Sequence, residues 1–536
     1  MKKISILLSG IALLASVSSC SDNDYDSRYD NPAQTTTASC DKLFTGVLVA
    51  GKDYTLQKYW RVYTWENMAG KYAQTIGAAI SDGSQYSQND SYANSRWENF
   101  YNVLTQYRVL QDVYEKEDDA AKSRDKIFLD LSEIFVYLHL SQVIDIWGDV
   151  PFSEAGYLGL TGDVKGSYPA YDNDTEFYTM MLNRLGEISN ELSSMKSSLS
   201  PITSAALPAQ DFLIKGDVDG WIRFANALRL RLAVRVATQG ELSNLGQTVV
   251  AEILNGNKTL PTTHEEGFYF VGDDGSTDEF NFSNDIRDGY KDINRRASTP
   301  MLNTLLTEET LGENDPRLPI MYSKNAEGGY RGLGLDDDQA QQSEFLGLPE
   351  ARRAYSAVDS TTFIYNQYML QPIITTAEVD FLKAEAYQRG WASGDAKTAF
   401  VNGMAHAIEY LFACNEASIS TSGHKATEEE IPSEAEAKAY AEKVWDHSNN
   451  KLEAIIHQKW FNFGVFQMFE AWNEVRRTGY PELYFRDDNN AQQIKTVPNR
   501  VRYPGSERNN NVDNYNAQVQ TMPNGDDYYT KIFWAK

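Results

Sequence analysis

Side chains able to do chemistry are plentiful in this chain, but few stand at spacings that chemistry requires. A glycoside hydrolase needs two carboxylates at a set separation; with 75 acidic residues any pair can be nominated, so their number selects none. Thr263-His264-Glu265-Glu266-Gly267 begins like a zinc-protease helix but has no second histidine one turn on. The sequence contains no Gly-x-Ser-x-Gly elbow and no P-loop, and Gly332-x-Gly334 lacks a third glycine and a preceding strand. The six histidines are dispersed, and a lone one such as His139 reads as a core or surface residue rather than a base. Cys20, Cys40 and Cys414 form no Cys-x-x-Cys or Cys/His zinc pattern, and their spacing gives no reason to pair Cys40 with Cys414. Asp336-Asp337-Asp338 and Asp273-Asp274-Gly275 carry the oxygen ligands calcium takes, without EF-hand spacing. A structural calcium is the one metal these patterns offer, and no other cofactor is expected.

The elements that must position any site are helical. Thr375–Leu411 reads as two helices joined by a turn: Thr375 and Glu378 have capping-box spacing, Val379, Leu382 and Ala386 recur at helical spacing, and Gly390 stops the first helix. Asp395 caps the second, with Phe400, Met404, Ile408 and Leu411 as its apolar stripe. A pair like this cannot bury both faces alone and must stack on others, as in tetratricopeptide arrays. Trp97–Lys116 with Asp125–Trp147, and Thr175–Leu199 with Val218–Thr238, are further pairs, and Tyr59–Ile80 is an amphipathic segment. Arg223, Arg229, Arg231 and Arg235 read as a solvated or salt-bridged face. Lys451–Arg477 reads as one long helix bent at Gly464, with Arg476 and Arg477 suiting its negative end. The ten tryptophans lie mostly on periodic stretches and should be core. From about 260 to 372 the helical signal fades, apart from Pro300–Thr307, and after Pro481 the chain reads as mostly irregular. A loop-rich insertion of that length on a helical scaffold points to function. The fold class is therefore mostly α, with stacked helix pairs and a large loop-rich face.

Lys2 and Lys3 precede an apolar run, Ile4–Val17, that ends in Ser18-Ser19-Cys20. It reads as a secretory signal over residues 1–19, too short to span a membrane comfortably. Cys20 stands where a bacterial lipobox places its acylated cysteine, and residues 20–40 read as a lipidated, polar, flexible tether before one domain, 41–536. The chain carries a net charge of −26; removing residues 1–19 takes two lysines and no acids, leaving −28. So acidic a body excludes strong nucleic-acid binding and gains nothing from an anionic membrane surface.

Beyond the lipobox, Asp145-Ile146-Trp147-Gly148-Asp149-Val150-Pro151-Phe152-Ser153-Glu154-Ala155, Asn314-Asp315-Pro316-Arg317-Leu318-Pro319, the Thr375–Leu411 stretch, Gln458-Lys459-Trp460, Glu470-Ala471-Trp472, Arg476–Pro481, Arg500-Val501-Arg502-Tyr503-Pro504 and Lys531-Ile532-Phe533-Trp534 follow in an order that resembles the SusD/RagB family, in its second SusD-like subfamily. The departures are Phe533 and Gly332–Asp336, where relatives show a Gly-x-Pro-x-Gly-like turn. The resemblance implies a lipid-anchored protein of the outer membrane at the cell surface, without enzymatic activity. It would bind an oligosaccharide, or in some members a peptide, and act as lid to a SusC-like TonB-dependent barrel transporter. A secreted hydrolase and an adhesive surface protein are the competing classes. A sugar ring offers an apolar face and a rim of hydroxyls, which aromatic rings and Asn, Asp or Arg side chains complement. Loops of that composition are Ser81–Ser95, with Tyr86, Asn89 and Tyr92, and Gly267–Tyr290, with Tyr269, Phe282, Arg287 and Tyr290; these are the candidate ligand-binding residues.

Overall fold

Capping residues, apolar stripes and glycine stops produce long helices that pack as neighbours along the chain. In the computed structural model the described residues are 38–77, 85–271, 285, 296–335, 339–366, 368–422, 429–464, 466–488 and 494–536. The chain divides into residues 1–39 and a folded unit from Cys40 to Lys536. In the folded unit, α1 (Cys40–Thr55) lies against both α2 (Asp90–Glu115) and α3 (Asp119–Trp147). Asn89 caps α2 by accepting the Ser91 N–H at 2.9 Å, and Asp118 caps α3 by accepting that of Ala121 at 2.9 Å. α3 ends at Gly148, whose φ of +82° no β-carbon favours. It is long and apolar enough to cross a membrane, yet 83% of its apolar window is buried in the fold, which makes it a core helix.

α4 (Asp174–Met195), α5 (Val218–Ala237) and α6 (Ser243–Asn255) form the next layer, followed by α7 (Thr376–Gln388), α8 (Ala396–Ser422), α9 (Glu434–His447), α10 (Lys451–Phe463) and α11 (Met468–Thr478). α4 and α6 both pack on α5; α7 packs on α8 and α10. The predicted stacked helix pairs are thus present. Phe400, Met404, Ile408 and Leu411 are buried on α8, and Asp395 accepts the Thr398 N–H as its cap. Eight of the ten tryptophans are buried; the exceptions are Trp60 and Trp391.

Three expectations change. The Thr375 hydroxyl accepts the Glu378 N–H at 3.0 Å, but the Glu378 carboxylate turns to Arg231 instead of completing a capping box. The helix expected over Lys451–Arg477 is broken at 464–467 into α10 and α11. The C-terminal region is mostly irregular among the described residues, as expected, with two short helices, α12 (Gly505–Asn510) and α13 (Val512–Thr521). Between 260 and 372 lie several turns of helix besides Thr299–Leu305, among them Leu318–Met321 and Pro349–Arg352, and a π-helical turn, Ser360–Ile364. Four-residue helices complete no apolar period, so pattern does not reveal them. The strands are short: β1 (Ile76–Gly77) pairs antiparallel with β3 (Arg296–Ala297), and β2 (Phe268–Phe270) with β4 (Gln371–Ile374).

The sequence motifs turn out to be joints. Asp149 accepts the Asp174 N–H at 2.8 Å and so fixes the start of α4. Asp315 and Arg317 pair through two hydrogen bonds of 2.7 and 2.8 Å, fully buried, and Arg317 also donates to Gln458 and covers the Phe461 ring. Arg500 donates to the Trp147 carbonyl at 2.9 Å, satisfying an acceptor that the end of α3 leaves open, and Tyr503 donates to the Asp149 carbonyl at 2.7 Å.

Charge is buried at the centre. Arg229, Arg231 and Arg235 are not solvated; all three are buried and ion-paired, and only Arg223 of the four approaches the surface. Arg235 reaches Asp145 and Glu470, and Arg231 grips both oxygens of Glu378. Arg477 and Lys459 share Glu385 and Glu474 at 2.6 to 3.0 Å. Arg476 and Arg477 thus serve a buried network rather than the helix end alone; Arg476 lies 3.7 Å over the Trp472 ring. Burial pushes the Glu385 carboxyl up, but Arg477 and Lys459 outweigh it and hold the group well below the usual range. Replacing Glu385 by Gln leaves two buried cations short of an anion and should cost about 3–5 kcal/mol, read from chemical unfolding; an unchanged midpoint would remove the network from its central place.

His457 and His139 set the acid side of the stability profile. Burial lowers His457 to about 4, and burial together with Arg96 puts His139 well below its ordinary value. Arg96 carries no lone pair, so its contact with His139 Nδ1 makes that atom the acceptor and leaves the proton on Nε2, 2.9 Å from the Thr55 hydroxyl. In the folded state both rings stay neutral where the unfolded chain would take up a proton, at about pH 6.5. Their contribution is complete above that pH and declines as pH falls toward 4, by at most about 3 kcal/mol for His457. His457→Gln should flatten the fall in unfolding free energy between pH 7 and 4.5.

Candidate functional site

The segment Gln57–Glu66 is pinned at several points and leaves Tyr59 and Trp60 on the surface. The Gln57 N–H donates to Gln371 Oε1 at 2.6 Å, and its side-chain amide donates to the Phe466 carbonyl at 2.9 Å. Arg61 is buried; it donates to Glu66 at 3.0 Å, to the Phe466 carbonyl at 3.1 Å and to the Thr55 carbonyl. Glu66 closes the clamp by accepting the Phe469 N–H, at the start of α11, at 2.9 Å. Burial pushes the Glu66 carboxyl up, and Arg61 and that N–H oppose the shift.

Trp60–Glu66 is a π-helix, whose wider turn breaks the 3.6-residue rotation and moves side chains off the buried face. Tyr59, just before this turn, and Trp60, its first residue, are 43% and 40% exposed, edge to face at 5.6 Å and 80°. Beside them Lys58 pairs with Asp285 at 3.7 Å; burial raises the Asp285 carboxyl, and Lys58 counters it. The second π-helical turn, Ser360–Ile364, reaches the same support, because Phe363 packs on Phe466 with ring centres 5.3 Å apart. Tyr365, just past that turn, is 45% exposed. Beneath the surface an aromatic chain runs from Tyr269, stacked on Tyr410 at 5.2 Å and 14°, through Tyr410 to Phe466 at 6.0 Å. The arrangement can lay planar rings against an apolar ligand face, beside the Lys58–Asp285 ion pair.

Of the residues nominated from sequence, Tyr86 is corrected: it is buried, and its hydroxyl donates to the Arg486 carbonyl at 2.6 Å. Its loop is held to the C-terminal segment, where Asp488 accepts the Gln85 N–H and the Arg500 carbonyl accepts the Gln88 amide. Asn89 is spent as the α2 cap, and Tyr92 sits half-exposed on the first turn of α2. Tyr269 is brought to the site but faces inward, and also lines a cavity of about 230 Å³ with Arg223, Glu266 and Phe268. Cys20, Phe282, Arg287 and Tyr290 lie outside the described residues, as do Asp273, Asp274 and Asp336–Asp338, proposed for calcium. Among the described residues the one group with metal-ligand atoms together is Cys40, Glu117 and Asp125. Arg124 already holds Asp125 through two hydrogen bonds, and burial and Glu117 raise the Cys40 thiol to about 12, so it stays protonated. Cys40 and Cys414 are both buried and free.

Sequence reasoning missed Tyr59, Trp60 and Tyr365. One signal was present: Tyr59, Trp60, Tyr63 and Trp65 are four aromatics in seven residues, more than one face of a short helix can bury.

Comparison with known proteins agrees with this architecture. A family model described as SusD-like, starch-binding and associating with the outer membrane matches residues 32–504. Among solved structures, a chitin-binding protein is similar with a TM-score of 0.71 at 21% identity, over 92% of this chain and 99% of that one. A SusD homologue from Parabacteroides distasonis gives 0.68 at 21%, covering 93% and 97%, and a chitin-binding SusD homologue from Flavobacterium johnsoniae gives 0.66 at 20%, covering 92% and 97%. No curated protein sequence matches. With motifs, stacked helices and a family match over most of its length in agreement, this chain belongs to the SusD-like family, in the second of its subfamilies.

Proposed function

We propose that the protein binds an extracellular oligosaccharide on the Tyr59–Trp60 surface, without cleaving it, and delivers it to a SusC-like TonB-dependent barrel transporter as its lid. The observation that carries this reading is the rigid display of the pair: Gln57, Arg61 and Glu66 fix the backbone on either side of it while both rings remain open. Two half-exposed rings held in place cost stability in water and lose little further entropy when a ligand covers them. Crossed rings suit consecutive sugar units, whose C–H faces turn relative to one another along a chain. The family's description as starch-binding, and the chitin-binding neighbours, support a glycan as the ligand class. Anchoring is assigned to an acylated Cys20 at the outer membrane, facing the cell exterior.

Titration calorimetry with malto- and chito-oligosaccharides tests the surface. Trp60→Ala should weaken binding of whichever oligomer the wild type takes by about tenfold or more, roughly 1.4 kcal/mol, with no change in melting temperature; equal affinity in the variant would sink the assignment. Cys20→Ala should move the protein from the membrane fraction to the soluble one, and a variant that stayed membrane-bound would rule out the anchor.

A further inference from the structure

The segment after α3 displays a second and different surface. Tyr157, Leu158, Leu160, Val164 and Tyr168, five large apolar residues within twelve positions, are 37% to 59% exposed. Val512, at the start of α13, is 44% exposed, and its neighbours Asn511 and Asn514 donate to the carbonyls of Pro169 and Tyr168 at 2.9 Å, which places it beside the group. Single apolar side chains on a surface are ordinary; a contiguous set marks a contact. This set is held firmly. Arg108 donates to the Phe152 carbonyl at 2.7 Å and stacks on the Tyr157 ring at 4.7 Å, Glu154 accepts the Ala170 N–H at 3.2 Å, and Asp172 accepts the N–H groups of Phe152 and Ser153.

Its place in the fold indicates what covers it. Arg108, on which the loop rests, lies on α2 nine residues before Glu117, and Glu117 accepts the thiol of Cys40, where the chain enters the folded unit. At 1.5 Å per residue Arg108 is about 10 Å from the end of α2 at Glu115, two residues short of Glu117. Twenty residues separate Cys20 from Cys40, and twenty residues in any conformation span at most about 70 Å. The patch is therefore within reach of the leaflet that holds the Cys20 lipid. A chain with a net charge of −26 gains no electrostatic attraction to a lipid surface, so contact there must be apolar. The patch meets this requirement: between Tyr157 and Tyr168 the only charges, Asp163 and Lys165, are of opposite sign, and its tyrosines and leucines are residue types that partition to membrane interfaces.

We propose that Tyr157, Leu158, Leu160, Val164 and Tyr168 insert into the interfacial layer of the bilayer that holds the Cys20 lipid, giving the body a second attachment and a fixed orientation. This rests on the lipid-anchor reading above. The test uses the full-length acylated protein in phosphatidylcholine vesicles, with an environment-sensitive dye on Gly159→Cys, where an added β-carbon meets nothing within 4 Å; Cys40 and Cys414 are buried and stay unlabelled. The dye should shift to the blue and be quenched severalfold by lipids spin-labelled near the headgroup. Adding Leu158→Asp and Val164→Asp should abolish both signals while the protein still floats with the vesicles. An unquenched dye on floating protein overturns the proposal and leaves the anchor standing. A dye shielded only when the transporter or a high density of the protein itself is present assigns the patch to a protein partner and overturns it too. Failure to float takes away the anchor, and this contact with it.

Discussion

Asp145 on α3, Arg231 and Arg235 on α5, Glu378 and Glu385 on α7, Lys459 on α10, and Glu470, Glu474, Arg476 and Arg477 on α11 are buried together where five helices meet. Five cations and five carboxylates make the group neutral, and this balance lets it exist inside a protein at all. An unpaired charge there is expensive, whereas the paired set is worth little more than an apolar core of the same volume. Its value lies in alignment. Arg231 and Glu378 are 147 residues apart in sequence, and Arg235 and Glu470 are 235 apart. A helix that rotated or slid would strand a charge, so one packing of these helices is strongly preferred over its neighbours.

From this centre the outer features follow. α11 is fixed by the network, and the Phe469 amide in its first turn holds Glu66, which holds Arg61. The break between α10 and α11 frees the Phe466 carbonyl for Gln57 and Arg61. That break is therefore a fitting for the exposed aromatic pair, and the two π-helical turns that meet at Phe466 place side chains where a regular helix would have hidden them. The motifs behind the family resemblance lie on the structural side of this division. Asp149, Asp315, Arg317, Arg500 and Tyr503 satisfy backbone groups or each other. They make the scaffold recognisable and leave the surface that meets a ligand outside the motif set.

This division explains how much of the molecule was legible. Long helices and their partners could be read because an apolar stripe, a cap and a glycine stop are local signals. Phe400, Met404, Ile408 and Leu411 needed only their spacing. Asn89 had the composition of a ligand contact and proved to be a cap, since its side chain finds a donor two residues away. Tyr86 had the right ring in a polar loop, but the loop is tied to a segment 400 residues further on, which no local pattern can announce. Trp60 looked like core because its neighbours repeat as a helix does, and the π turn that exposes it depends on distant groups.

The sequence by itself determined the helical class, the order of the helix pairs, the family and the acidity of the body. All of these depend on periodicity, composition or motif order along one dimension. Tertiary structure decided which charges are buried, which aromatic rings are left open and which loops are fastened down. Those outcomes depend on partners hundreds of residues apart, such as Arg61 with Phe466 or Arg235 with Glu470, and a side chain's exposure is settled only when the distant chain arrives to cover it or fails to.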